Sequence, residues 1–298
     1  MASTNPEVPF ESQHQLFSAT TTTTTVPGQP CVSLNDSDAV NKFLLREISV
    51  QRLDDMYSIL FLVSKRQNIS PLHHQIIKGR QILITERPDL HLIWYHDRIF
   101  IKPVPLSLVN YNFYNTCILG KKSDQTLHAA ACGFLRTYAS LIVHETDYNI
   151  AKAAGLLPFD TDWNKWCHFI KRIQHLKDAQ VARRYHYGEL RLIRLNFYSK
   201  IFFYGWSYHE VYYQYVEYFA RFYAPYLFIF GAVTVILAAM QTALTADPGS
   251  QYKASAHWFC TLAIALTIVG LAFFPGLFLF FQLRELFLFI FYRQKKRK

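Results

Sequence analysis

The stretch APYLFIFGAVTVILAAMQTAL, residues 224–244, decides the class of this protein because its 21 residues include no charged side chain. A second apolar run, FCTLAIALTIVGLAFFPGLFLFFQL, fills residues 259–283 and carries no charge either. A helix of about 20 apolar residues is long enough to cross a hydrocarbon core about 30 Å thick. A short polar loop separates the two runs, so the sequence predicts a transmembrane helical hairpin.

The charges around these runs predict an orientation in the membrane. Five of the last six residues, Arg293–Lys298, are cations, whereas the loop 245–258 carries one Asp and one Lys. Positive charge in short flanking segments stays on the cytoplasmic side. We therefore predict that both termini are cytosolic and that the loop is lumenal or external. The net charge is +10, and its densest part lies beside the membrane. This favours a bilayer with anionic lipid head groups as the partner, and it argues against nucleic acid.

The last residues also match a retrieval address. Lys295 and Lys296 lie four and three positions from the carboxyl end, as in the dilysine pattern that coat proteins recognise on cytosolic tails. Such an address is read by a receptor and does not anchor the chain. It predicts an integral membrane protein of the endoplasmic reticulum with two spans. A plain stop-transfer cluster is the alternative interpretation.

Two further features bear on the compartment. The five cysteines form no CxxC pair, and their number is odd, which fits a reducing compartment. The first 40 residues are polar and contain no apolar core of a signal peptide. Asn35 and Asn68 begin N-glycosylation tripeptides, however, and glycosylation of either residue would invert the predicted topology.

Periodicity predicts helices over most of the region that precedes residue 200. Asp36 or Asp38 is placed to cap a helix whose apolar positions begin at Val40. Apolar residues at helical spacing follow Ser123–Asp124, and a further helix is capped by Thr161 or Asp162.

A small β-hairpin interrupts these helices. Gln81–Thr85 is rich in β-branched residues. In the segment that follows, Leu90, Leu92 and Trp94 alternate with His91, Ile93 and Tyr95. His96–Arg98 then forms a turn, and Ile99–Ile101 returns before Pro103 ends the strand. The predicted fold is therefore mainly α with a small β-hairpin: a cytosolic helical domain followed by a C-terminal transmembrane helical hairpin.

The sequence divides into segments of different composition. Tyr, Phe and Trp dominate residues 201–223, which favours a helix at the membrane interface, with a buried aromatic helix as the alternative. The predicted segments are a disordered Thr/Pro-rich tail (1–36), a helix-rich soluble domain (37–200), an aromatic juxtamembrane helix (201–223), the first transmembrane helix (224–244), a loop (245–258), the second transmembrane helix (259–283), and an interfacial segment with the basic tail (284–298).

Few residues suggest chemistry. His144 and Asp147 stand at i,i+3, where both could ligate a metal on one helix face, but no third ligand accompanies them. A hydrogen-bond network at a helix end is the favoured interpretation of this pair. His91 and Asp97 bring an imidazole and a carboxylate to the hairpin without a nucleophile. The sequence contains no GxSxG, Walker A or GxGxxG motif. These four residues are weak catalytic candidates, and we predict no metal and no cofactor.

Three blocks carry a family resemblance: Gly79–Pro105 (GRQILITERPDLHLIWYHDRIFIKPVP), Gly133–Pro158 (GFLRTYASLIVHETDYNIAKAAGLLP) and Tyr185–Leu195 (YHYGELRLIRL). With the apolar runs they make residues 40–283 similar to a fungal family of uncharacterised two-span membrane proteins. Members of that family are sometimes labelled subtilisin-like serine proteases. This sequence lacks the Gly-Thr-Ser nucleophile motif and the matching Asp and His blocks. The resemblance therefore implies two spans but no activity and no catalytic residue.

The function that fits these observations is that of a non-enzymatic membrane adaptor or accessory protein with an unknown protein partner. One alternative is a membrane-bound enzyme that acts on a lipid or hydrophobic metabolite through a His/Asp/Glu site. Another is a subunit of an oligomeric channel or transporter, because two spans alone make a poor transport path.

Overall fold

The computed structural model describes residues 7–18, 24–120, 125–202, 207–209, 215–246 and 257–269, together with positions 272, 273, 276 and 279. The chain divides into two compact units, Met1–His209 (unit 1) and Glu210–Lys298 (unit 2).

Unit 1 is mostly helical and contains two small β-sheets. Its α-helices are α1 (Ser37–Ile48), α2 (Gln51–Asp55), α3 (Tyr57–Val63), α4 (Leu72–Ile77), α5 (Tyr111–Phe113), α6 (Gln125–Leu141), α7 (Glu145–Ala153), α8 (Trp163–Ile173) and α9 (Leu192–Ile201). A π-helical turn spans Tyr114–Ile118, and 3₁₀ turns span Ser12–His14, Pro88–Leu90, Leu106–Leu108, Asp178–Gln180 and Arg183–His186. The strands are β1 (Thr25–Val26), β2 (Gln29–Ser33), β3 (Gln81–Ile84), β4 (Ile93–Tyr95), β5 (Arg98–Ile101) and β6 (Leu190–Arg191).

Two predicted helix caps are confirmed. The Asp36 carboxylate accepts hydrogen bonds from the amides of Asp38 and Ala39 at 3.1 and 2.9 Å. Asp162 accepts from the amide of Lys165 at 2.7 Å. Each cap satisfies backbone N–H groups that the first turn of a helix leaves without a partner.

The predicted β-hairpin is confirmed as β4–β5, but it is only the centre of a larger sheet. The strand order is β3-β5-β4-β6, in which β4 and β5 are antiparallel. β3 pairs in parallel with β5, and β6 pairs in parallel with β4. Parallel pairs need a crossover connection, so their partners are far apart in the sequence.

The core of unit 1 is built around α6, which packs against α1 and α8. Tyr138 on α6 and Trp166 on α8 are buried, with ring centroids 6.4 Å apart. Gly133 allows another close approach, because a Cβ atom at this position would lie 2.1 Å from Cδ2 of Tyr185.

The prediction of a disordered tail over residues 1–36 is wrong for the described residues 7–18 and 24–36. Val8, Phe10 and Val26 are buried in the main core, and β1 and β2 form a two-stranded sheet. Phe10 packs against Phe169 of α8 with ring centroids 4.8 Å apart. A few large apolar side chains thus order a stretch whose average composition is polar.

The aromatic helix predicted over residues 201–223 is interrupted among the described residues, and helical structure resumes at Tyr215. Helix α9 ends at Ile201, and residues 207–209 are not helical. Here the Asn196 side chain accepts hydrogen bonds from the amides of Tyr208 and His209 at 3.0 and 3.1 Å. Tyr208 is buried and donates to the Asp89 carbonyl at 2.8 Å. Residues 203–206 and 210–214 lie outside the described residues.

Among the described residues of unit 2, one helix is long and apolar enough to span a membrane. This helix, α10 (Tyr215–Ala246), includes the apolar segment Ala224–Ala243 of 20 residues. A shorter apolar helix, α11, covers His257–Val269. Most of the predicted second span after Val269 lies outside the described residues, as do the C-terminal segment 284–298 and Lys295 and Lys296 within it.

Candidate functional site

The predicted catalytic candidates do not meet in one place. His91 is buried against α6, where its Nε2 atom lies 2.9 Å from Oγ1 of Thr137 and its Nδ1 atom accepts from the Lys102 amide at 3.1 Å. Asp97 lies in the β4–β5 turn with its side chain 72% exposed. The imidazole and the carboxylate therefore serve separate parts of the hairpin.

The His91 ring is held in its neutral form. Thr137 donates its hydroxyl proton to the Phe134 carbonyl at 2.6 Å, so its oxygen accepts from Nε2–H of His91. Burial lowers the pKa of His91 well below its ordinary value, and the charges of Arg184 and Lys102 add to this effect. A ring whose two nitrogens are both engaged is a structural element of the core.

Asp147 lies at the centre of a hydrogen-bond cluster. Its buried carboxylate accepts from the amide and Nδ1 of His73 at 2.8 and 2.7 Å. It also accepts from the amides of Val143 and His144 at 3.2 and 3.0 Å. Burial by itself raises the pKa of Asp147, but the bonds from His73, His144 and Val143 outweigh it and lower the pKa below its ordinary value.

The spacing of His144 and Asp147 reflects a helix cap. His144 is the N-cap of α7, and Asp147 is the third residue of that helix and bonds back to the cap amide. The carboxylate thus takes part in a hydrogen-bond network at the start of the helix, which is the interpretation that the sequence favoured over a pair of metal ligands. Among the described residues, no group of three or more His, Cys, Asp and Glu is arranged to hold a metal ion.

His73 is the functional candidate that sequence analysis missed. It lies on α4, and its side chain is 28% exposed. Because Asp147 accepts the Nδ1 proton, the Nε2 atom of His73 is left as the basic nitrogen. A carboxylate that orients an imidazole in this way is the arrangement found in general-base pairs.

A buried thiol lies next to another imidazole but is not activated. The Cys132 sulfur lies 3.6 Å from Nε2 of His128 and 3.5 Å from the Tyr114 hydroxyl. Burial raises the pKa of Cys132 to about 11 and lowers the pKa of His128. The thiolate is the nucleophilic form, so the protonated Cys132 is a packing residue.

Two buried cations in the core are paired with carboxylate or carbonyl oxygens. Lys102 Nζ lies 2.7 Å from Glu47 and 3.3 Å from Glu86. Arg184 donates to backbone carbonyls, including those of Tyr187 at 2.8 Å and His91 at 3.1 Å. Buried charges persist when they are paired in this way, and these two hold neighbouring segments of unit 1 together.

An open cleft of about 480 Å³ lies between the N-terminal segment and α8. Its floor contains Phe10 and Phe169, and basic side chains of α8 form one wall. The complete lining comprises Phe10, Glu11, His14, His168, Phe169, Lys171, Arg172 and His175. The sequence signal for this cleft is the spacing of the four basic residues on α8 and just after it, but the opposite wall comes from the segment predicted to be disordered.

The fold therefore defines a protein with a mostly helical unit, a small mixed sheet and one helix suited to a membrane. The chain belongs to a family of unknown function (DUF6601), whose model matches residues 40–271. This match confirms membership of an uncharacterised family. No curated protein and no solved structure matches the chain.

Proposed function

We propose that this protein is a membrane-anchored, non-enzymatic adaptor or accessory protein whose unit 1 is held at the cytosolic face of the endoplasmic reticulum. The observation that carries the proposal is the surface of α10. None of the residues of Ala224–Ala243 is buried, and Phe228 and Val235 are 77% and 70% exposed. Water solvates such a surface poorly, and lipid tails solvate it well.

The polar groups of this helix support the same proposal. Thr234 donates its hydroxyl proton to the Phe230 carbonyl at 2.8 Å, and Thr242 donates to the Ala238 carbonyl at 2.9 Å. In a bilayer, polar groups must find partners inside the protein. These hydroxyls find them within their own helix.

A second span over residues 259–283 completes the proposed hairpin. Most of its described residues belong to α11, where Leu262, Ile264 and Leu266 are exposed apolar side chains. Thr261 and Thr267 donate to the carbonyls four residues before them, at 2.8 and 2.7 Å. The composition and internal hydrogen bonding of α11 thus resemble those of α10.

The exposed side of α9 supports contact between unit 1 and lipid head groups. Phe197, Ile201 and Phe202 are 59%, 48% and 49% exposed, and the cations Arg194 and Lys200 are exposed on the same helix. Aromatic and aliphatic side chains interleaved with cations favour an anionic interface. Because α9 is the last helix of unit 1, the chain continues from it towards the proposed span.

A binding role is favoured because the polar residues considered for catalysis are engaged in structural contacts. His91 is fixed in the core, Asp147 caps α7, and the Cys132 thiol is protonated. The partner of such an adaptor would be a protein, with the bilayer and anionic lipids holding the complex in place.

Topology and retention can be tested in cells with a tagged full-length chain. We expect the protein to resist extraction at alkaline pH, to remain unglycosylated at Asn35 and Asn68, and to co-localise with an endoplasmic reticulum marker. Replacing Lys295 and Lys296 with serine should release it to later compartments, through loss of coat-protein recognition. Extraction into the soluble fraction, or glycosylation at either asparagine, would contradict the proposed anchoring or topology.

A second candidate function, a membrane-bound enzyme acting on a lipid or hydrophobic metabolite, is favoured by the His73–Asp147 pair. The partly exposed imidazole, oriented by a buried carboxylate, could act as a general base. Incubation of the purified protein with a membrane lipid extract, followed by mass spectrometry, tests it. Conversion of a lipid that His73→Asn abolishes and His74→Asn preserves would support an enzyme. If no lipid is converted, the enzyme candidate is rejected in favour of the adaptor.

A further inference from the structure

The cleft beside α8 carries a basic stripe. His168, Lys171, Arg172 and His175 line it. The first three lie on α8 at spacings of three and four residues, which place side chains on one helix face, and His175 follows the end of the helix. The side chains of all four residues are exposed. The buried residues of α8, which include Trp166 and Phe169, face the core instead.

The other wall adds an imidazole. His14, from the 3₁₀ turn Ser12–His14, stacks on His168 with ring centroids 5.2 Å apart and an interplanar angle of 14°. Phe10 and Phe169 form a buried aromatic floor below these groups. The cleft therefore combines an apolar base with a rim of nitrogen donors.

Among the lining residues, the cations Lys171 and Arg172 outnumber the carboxylates. Glu11 is the one acidic residue among the lining residues, and its carboxylate lies 2.7 Å from Nε2 of Gln13 and 3.5 Å from Nδ1 of His14. Arg172 lies 3.4 Å from Glu7, an exposed contact that solvent screens. The negative end of the α8 dipole also points towards this end of the helix, so an anion must be held by the side-chain cations.

We propose that this cleft binds a phosphate group, carried either by a small soluble molecule or by a lipid head group. Arg, Lys and protonated imidazole are strong donors to phosphate oxygens. A volume of about 480 Å³ accommodates a compact head group or metabolite. The site lies wholly within unit 1, so the proposal does not depend on the membrane span.

The test uses the full-length protein in phosphatidylcholine nanodiscs and two probes. In the first arm, inositol trisphosphate is titrated as the soluble probe and binding heat is measured. In the second arm, a phosphatidylinositol phosphate is built into the same nanodiscs as the lipid probe. Its binding is measured by the fluorescence polarisation of a short-chain fluorescent analogue of this lipid. Lys171→Ala removes one rim cation, and Lys165→Ala removes the same charge from an exposed position of α8 outside the cleft.

We expect saturable binding in at least one arm, weakened about ten-fold by Lys171→Ala and unchanged by Lys165→Ala. Binding in the first arm alone identifies a soluble phosphate ligand, and binding in the second arm identifies a lipid head group. Equal weakening by both variants, or no binding in either arm, would overturn the proposal. His168→Gln provides an independent variant, which should also weaken the binding because it removes the ring that stacks on His14.

Discussion

Arg80 and Glu189 form an ion pair across the end of the four-stranded sheet, with Nη1 of the guanidinium 2.6 Å from Oε2 of the carboxylate. Arg80 precedes β3 and Glu189 precedes β6, and these are the two edge strands of the sheet. The same guanidinium lies 4.2 Å from the ring centroid of Trp94 on β4. The pair thus connects strands that share no hydrogen bonds and are about a hundred residues apart in the sequence.

We expect Glu189→Ala to destabilise unit 1 by about 3 kcal/mol, because it leaves the guanidinium of Arg80 without its charged partner. The change also removes the acceptor of the Ser70 amide and of Gln75 Nε2, at 2.8 and 2.7 Å. Chemical denaturation of the full chain measures the difference. Asp97→Asn, which alters an exposed pair at 4.0 Å, should cost less than about 0.5 kcal/mol. Equal effects of the two changes would contradict this role.

Glu189 should also make stability depend on pH. Burial raises the pKa of Glu189, but the bonds from Arg80, Ser70 and Gln75 outweigh it and lower the pKa below its ordinary value. The unfolded chain therefore takes up this proton at a higher pH than the folded chain does. The stability contributed by Glu189 is present above the unfolded pKa of about 4.3 and is lost as the pH falls through the folded pKa. Unfolding transitions recorded from pH 6 downwards should show a weaker acid dependence for Glu189→Gln than for the natural chain.

His91 should contribute acid sensitivity at a higher pH. Its folded pKa is lowered by burial first and then by the charges of Arg184 and Lys102, so the unfolded chain protonates it first. Stability from the neutral ring is present above the unfolded pKa of about 6.5 and decreases as the pH falls below it. His91→Gln should lower the stability at pH 8 and flatten its decline between about pH 7 and pH 5. If the free energy of unfolding of His91→Gln falls with pH as steeply as that of the natural chain, His91 does not control this acid sensitivity.

The approach of α6 to Tyr185 can be tested by filling it. Gly133→Ala should cost about 2 kcal/mol because the added Cβ atom would overlap the Tyr185 ring. Combining it with Tyr185→Ala should cost less than the sum of the two single changes, since the second change removes the overlap. Denaturation midpoints of the four chains measure this coupling, and strict additivity would show that the overlap is relieved elsewhere.

Local patterns in the sequence predicted the features that depend on neighbouring residues. The Asp36 cap and the β4–β5 hairpin follow from side chains within a few positions of one another. β3 and β6 joined the sheet through parallel pairings, whose partners no local pattern identifies. The parallel strand β6 consists of two residues, Leu190 and Arg191, which is too short for a periodic signal.

The candidate sites show the same division. Local spacing predicts that Asp147 and His144 are neighbours, and the Asp147 carboxylate accepts from the His144 amide. The same carboxylate also bonds to His73, which is 74 positions away and which no local pattern identifies. The cleft beside α8 includes Phe10 and His14, whose segment has a polar average composition that concealed its buried apolar residues. Contacts of this kind arise only when the whole core packs.

The last prediction concerns α10 as a membrane anchor. Val235→Arg places a charge near the middle of Ala224–Ala243, where insertion of an arginine costs about 3 kcal/mol. We expect the variant to shift from the membrane pellet to the alkaline-soluble fraction or to be degraded. Val143→Arg changes an exposed apolar residue of unit 1 in the same way and should leave the protein in the pellet. If Val235→Arg is as resistant to alkaline extraction as the natural chain, α10 does not anchor the protein by crossing the bilayer.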